Sequence, residues 1–191
     1  NLGYAAGHRF DIQGQRVTAI GDARRSFLAY DGRSGWSQTV TGWTEFFAAR
    51  GNIAAFAMQE VVDENGDSDA SDLVLHIVDF RKKRIVPAGV AVPWLSTISI
   101  NDDGRVLFRA DEGGQGAVDI NGDGTIGSLL ASYFKGGAIL TSVASRDAWF
   151  ASQGSHAFAT RDEAVGSQPD YNGDGDSHDN VATIVRFGKN D

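Results

Sequence analysis

Oxygen-bearing side chains recur at alternate positions in three short stretches of this chain, and that pattern suits one kind of chemistry. In the run from Asp170 to Asp179, oxygens stand at positions 1, 3, 5, 7 and 10, on Asp170, Asn172, Asp174, Asp176 and Asp179. Asp63, Asn65, Asp67, Asp69 and Asp72 repeat the register, and Asp119, Asn121, Asp123 and Thr125 keep its first part, with Ser128 where the tenth-position acid would stand. A hard cation such as Ca2+ takes about six to eight oxygens, and a glycine at position 6, here Gly175, gives the tight turn such a loop needs. Four or more carboxylates within ten residues repel one another, so without a cation the loop is driven open. Two to three Ca2+ sites are therefore expected, with the Asp119 loop the weaker or completed by water.

The cage is expected from carboxylates at positions 1, 5 and 10, the Asn amide oxygen at 3 and a main-chain carbonyl near 7. Counting four residues on from Phe56, Phe108 and Phe158 gives Glu60, Glu112 and Asp162 as further candidate ligands. Mg2+ fits less well because it demands octahedral geometry and keeps its water. Zinc and iron fit poorly: His8, His76, His156 and His178 lack ligand spacing, and there is no cysteine. The flanking patterns alternate as strands do and no Glu stands at position 12, which argues against a helical EF-hand.

The loop starts lie 56 and 51 residues apart, a period that marks repeat or propeller architecture. Around the loops run short apolar segments broken by Gly turns, among them 16–20, 26–30, 53–60, 73–79 and 181–187, so the flanking elements are β-hairpins in meander order. The expected fold is all-β: a β-propeller of about four blades, each a four-stranded antiparallel meander. Blade boundaries fall at about 8–41, 42–92, 93–145 and 146–188. The apolar piece Asn1–Gly7 is a strand without a unit, and the last unit lacks an outer strand, so Leu2 to Ala6 is expected to pair beside Val181 to Phe187 and close the ring. The alternative is a piece of a larger propeller completed by another chain, and a start at Asn1 without Met is read as processing or excision.

The run Asp-x-Asn-Gly-Asp-Gly-Asp-x-x-Asp followed by an apolar strand such as Leu73–Asp79 resembles the calcium-binding blade repeats of bacterial secreted or surface β-propeller proteins. It is more loosely similar to the FG-GAP loops of integrin-type propellers. The resemblance covers about Trp43 to Phe187 and departs in the first unit, which has no loop. It implies a scaffold and a metal rather than an activity.

A formal charge of −8 and a pI near 4.9 argue against nucleic acid or an anionic membrane as partner. No stretch reaches the roughly 20 apolar residues of a spanning helix, and no leader pattern precedes a cleavage site. Ca2+ loops fill readily outside the cell, so a secreted, periplasmic or surface location is expected. Trp43, Trp94, Trp149 and Phe10 open successive units and are read as core between blades, or else as rings that stack on sugars. Arg81 to Arg84 reads as a solvated hairpin tip. The expected role is a non-enzymatic binding or structural module for a protein or carbohydrate ligand, stabilised by Ca2+. The alternative is a lyase or hydrolase acting on polysaccharide at the axial funnel; no catalytic residue stands out.

Overall fold

The computed structural model describes residues 2–5, 8–21, 25–94, 96–122, 124–127, 129–144, 152–153, 156–163 and 170–186. Among them every regular element is a strand and all pairing is antiparallel between chain neighbours. The first sheet holds β1 (Leu2–Ala5), β2 (His8–Gln13), β3 (Arg16–Ile20), β4 (Ser26–Asp31) and β5 (Trp36–Thr41); the second holds β6 (Thr44–Arg50), β7 (Ile53–Gln59), β8 (Leu73–Asp79) and β9 (Arg84–Ala91). The third is β10 (Ser99–Ile100), β11 (Val106–Asp111), β12 (Leu129–Lys135) and β13 (Ala138–Ala144), and the fourth is β14 (Ser152–Gln153), β15 (His156–Asp162) and β16 (Asn180–Arg186). The all-β, antiparallel meanders follow the expectation from the sequence.

The N-terminal strand does not. Instead of joining β16, β1 pairs with β2, Leu2 opposite Asp11 and Ala5 opposite His8, which makes the first sheet five-stranded. Only Ala6 and Gly7 separate the two strands, so the hairpin closes at once. Pairing with β16 would close a loop of nearly the whole chain, several doublings of length at about 0.6 kcal/mol each. The third sheet also departs from expectation, since Pro93 and a turn at Trp94 shorten its first strand to Ser99–Ile100.

The first three sheets pack face on face. On one side of the second sheet, Ala54, Phe56, Met58 and Val78 meet Ile20, Phe27 and Ala29 of the first, with the Phe27 and Phe56 rings stacked 3.8 Å apart. On its other side, Ala55, Ala57, Leu75 and Ile77 meet Val106, Phe108 and Ala110 of the third. Covered on both faces, β8 is buried along nearly its whole length, which is why Leu73–Val78 reads as an unbroken apolar run interrupted only by His76. The first strand of the second sheet, β6, also lies against both β2 and β10.

The hairpin tips are stitched across sheets. Gln13 donates to the Ala49 carbonyl and accepts from the Gly51 N–H at 2.9 Å, Arg16 donates to the Gly51 carbonyl at 2.7 Å, and Arg50 pairs with Asp102. Two indoles expected in the core are not there: Trp43 and Trp94 are 39% and 54% exposed, because each sits on the connection entering its sheet rather than on a strand. Trp149 lies outside the described residues, as does the side chain of Phe10. Arg81 to Arg84 is exposed, as read from the sequence.

The fourth sheet is different. Phe158 and Ile184, directly opposite each other on β15 and β16, are 51% and 60% exposed. Phe56→Ala should therefore cost about 3–5 kcal/mol in denaturant melts, whereas Phe158→Ala should cost under about 1 kcal/mol. Equal losses would mean that the two phenylalanines occupy equivalent packing sites after all.

Candidate metal centres

Each acidic loop joins the second and third strands of its sheet and is shaped by its own main chain. In the Asp63 loop, Asp63 Oδ1 accepts from Gly66 N at 2.6 Å and Asp67 N at 3.2 Å, and Oδ2 accepts from Ser68 N at 3.0 Å. Asn65 Oδ1 accepts from Asp67 N, Asp67 Oδ1 from Asp69 N, and Asp69 Oδ1 from Ser71 N, at 3.2, 2.9 and 2.8 Å. The Asp170 loop repeats this cascade. Asp170 accepts from Gly173, Asp174 and Gly175, Asn172 from Asp174, Asp174 from Asp176, and Asp176 from His178. Short Asp and Asn side chains bonding the main chain two to five residues on bend it into a coil, and this is the physical reason for an alternating pattern.

A buried glutamate holds each coil to its sheet. Glu60 accepts from Glu64 N at 2.7 Å and Asp72 N at 3.4 Å, so it grips positions 2 and 10 at once. Glu112 accepts from Ile120 N at 2.9 Å, again at position 2. In the fourth sheet the residue in this role is Glu163, not Asp162: it accepts from Tyr171 N at 2.6 Å, Asn172 N at 3.2 Å and Asp179 N at 3.4 Å. Counting from Phe158 misplaces the register by one, and in a strand one residue reverses the face. Ala159, not Phe158, holds the place of Phe56 and Phe108. A visible signal was missed, for Glu112 precedes Asp119 by seven residues and Glu163 precedes Asp170 by the same seven.

Two groups of carboxylates converge. Glu60, Asp67, Asp69 and Asp72 offer oxygens within 4.8 Å of one another, and so do Glu163, Asp176 and Asp179. Asp63 and Asp170 stand outside these groups, with both oxygens of each engaged by main-chain N–H. Asp174, the counterpart of Asp67, is also outside. In the third loop Asp119 accepts from Gly122 N at 2.7 Å and Gly124 N at 2.9 Å, as its counterparts do. Asp123 lies outside the described residues, and the loop gathers no carboxylate group among those that are described.

The crowding has an electrostatic signature. Burial, a hydrogen bond to Asp67 and the charges of Asp67, Asp69 and Glu60 push Asp72 up to about 6. Asp179 is pushed upward chiefly by its hydrogen bond with Asp174, while Asp174 is held down by the Asp176 N–H and the Asn172 amide. Among the described residues no lysine or arginine pairs with these loop carboxylates. Donor sets made only of oxygen, rich in carboxylate and without a paired lysine or arginine among the described residues, fit a hard divalent cation and suit zinc or copper poorly.

His76 ties the first loop to the sheet beneath. It is buried against Phe56, with Nδ1 at 3.1 Å from the Val74 carbonyl and Nε2 at 3.2 Å from Glu64 Oε2. Burial lowers its pKa, opposed by the Glu64 carboxylate. His76 thus has the structural role its mid-strand place suggests.

Two predictions follow from the loop geometry. Ser68 occupies position 6 with φ +81°, a conformation that costs a side chain roughly 1–2 kcal/mol, so Ser68→Gly should raise stability by about 0.5–1 kcal/mol in chelator. The second concerns pH. With its folded pKa raised from 3.8 to about 6, Asp72 binds more protons folded than unfolded, so its contribution to stability falls as pH rises between those values. Measured in chelator, Asp72→Asn should therefore gain on the wild type as pH climbs from 4.5 to 7, and a pH-independent difference would contradict the crowding. No protein-family model matches the chain and no curated protein is significantly similar to it, so what these loops do must follow from their geometry.

Proposed function

We propose that the chain is a calcium-binding β-propeller array whose sheets are successive blades and whose acidic hairpins take Ca2+, serving as a non-enzymatic binding or structural module of an exported or surface protein. One observation carries this reading: loops in two different sheets, in the same register, gather carboxylates at the strand ends beside a buried glutamate, and among the described residues no lysine or arginine pairs with them. In the first loop, Glu60, Asp67, Asp69 and Asp72 would hold the ion with the Asn65 amide oxygen; in the last, Glu163, Asp176 and Asp179 would hold it with Asn172. A divalent ion there supplies the counter-charge. Below about pH 6 it would compete with the proton that crowding favours on Asp72.

The blade reading draws support from the meander order of every sheet, from faces packed sheet on sheet, and from β6 lying between β2 and β10. A partner surface is offered by Trp43 and Trp94, which stand at equivalent points entering the second and third sheets, each five residues before the paired positions Ala48 and Ser99. Half-exposed indoles there suit stacking on a carbohydrate ring or a protein side chain.

Thermal melts in chelator and in excess Ca2+, with metal analysis of the purified protein, test the reading. Binding at 100 times the dissociation constant stabilises by about 2.7 kcal/mol per site, so the melting temperature should climb by several degrees with Ca2+ and less with Mg2+. Identical melts and less than one bound ion per chain would sink the proposal.

A further inference from the structure

We propose that residues 113–117 of the third sheet form a clasp that completes the first cation loop from outside, with Gln115 as a positioning residue that is not itself a ligand; the inference rests on the cation reading above. The chain spacing allows it. Two residues separate Glu60 from Asp63, but six separate Glu112 from Asp119. The longer connection turns on itself, with Gln115 N donating to the Asp111 carbonyl at 3.0 Å and Ala117 N to the Gly113 carbonyl at 3.2 Å, and it projects onto the neighbouring sheet's loop.

Three hydrogen bonds cross the gap between sheets. Gln115 Nε2 donates to the Asn65 carbonyl at 2.7 Å, Gln115 Oε1 accepts from Ala91 N at 2.9 Å, and Asn65 Nδ2 donates to the Gly114 carbonyl at 2.8 Å. Gln115 thus bridges the β7–β8 loop and the end of β9, holding the loop main chain to the tail of that strand. The approach is close enough to require glycine. A Cβ on Gly114 would stand 2.8 Å from Asp72 Oδ1, and one on Gly116, where φ is +72°, would stand 2.9 Å from the Asp67 Cβ.

The consequence for the site lies in the Asn65 amide. A carbonyl can only accept, so the Gly114 oxygen fixes the NH2 of Asn65 outward and leaves Oδ1 turned back to the loop main chain, where it accepts from Asp67 N. In the last loop Asn172 Oδ1 likewise accepts from Asp174 N, but among the described residues its NH2 has no such outer partner. There Asn172 Nδ2 donates inward, to Asp174 Oδ2 and Asp179 Oδ2, both at 3.0 Å. Its amide protons occupy carboxylate oxygens that a cation would need, and Asp174 drops out of the converging group while Asp67 stays in. The clasp therefore makes the first loop the better prepared of the two, and outer partners of this kind change metal affinity by about 10–100-fold.

The test is an NMR titration of the full chain with CaCl2, following the position-6 amides Ser68 and Gly175 as reporters of the two loops. In the wild type the Ser68 loop should saturate first. In Gln115→Ala its dissociation constant should rise about tenfold, with the Gly175 loop unchanged. Wild-type hydrogen exchange gives a second reading that needs no variant: Ca2+ should slow exchange of the Ala91 N–H, which a loop acting on its own sheet alone would leave untouched. Unchanged affinity in Gln115→Ala, or an Ala91 N–H indifferent to Ca2+, overturns the clasp while the cation reading stands. Failure of Ca2+ to move either reporter in the wild type overturns both.

Discussion

The structure depends on a buried carboxylate placed where a β-strand ends and an acidic coil begins. Glu60, Glu112 and Glu163 are each withdrawn from water at that point. Their oxygens are satisfied at least in part by main-chain N–H groups of the loop that follows. Charge-assisted bonds of this sort are about twice as strong as neutral ones, and leaving such a charge buried without its donors would be expensive. The coil is therefore not free to swing away from the sheet, and its own carboxylates are brought together against their mutual repulsion. Everything proposed for the loops follows from that tension between an anchored backbone and uncompensated charge.

The sheets supply the rigidity against which the tension acts. Both faces of the second sheet are covered, one by Phe27 stacked on Phe56 and the other by Phe108 and its neighbours. The hairpin tips are stitched at one end of β7 by Gln13, Arg16 and Arg50, while the acidic loop lies at the other end, about 20 Å away at roughly 3.3 Å per residue. Blocks pinned at both ends transmit little strain, so differences between loops stay local.

Much of this was legible in the residues. Alternating oxygens located the three loops, because Asx turns need a short acceptor at every second position. Gly turns and alternating apolar runs gave the meanders, since neighbouring strands pair locally. What escaped was of two kinds. Register near Phe158 could not be read from an aromatic alone, since sheet faces differ by a single residue, whereas the Glu-to-Asp spacing of seven would have found Glu163. Contacts made across sheets, such as Gln115 with Asn65, leave no local trace in the chain, because residues 50 apart are joined only by the fold. The exposure of Trp43 and Trp94 was hidden for the same reason, and the place of β1 was misjudged by preferring a filled sheet edge over the shortest hairpin.

Because the turns of the acidic coil are closed largely by donors from within it, and one glutamate outside it pegs it to the sheet, the ten residues carry most of their own shape with them. It sits equally well between β7 and β8, packed on two sides, and between β15 and β16, where one face is bare. Such an insert can be placed between any pair of antiparallel neighbours that offers the peg, so the gathering of carboxylates does not depend on how tightly the sheet beneath is packed.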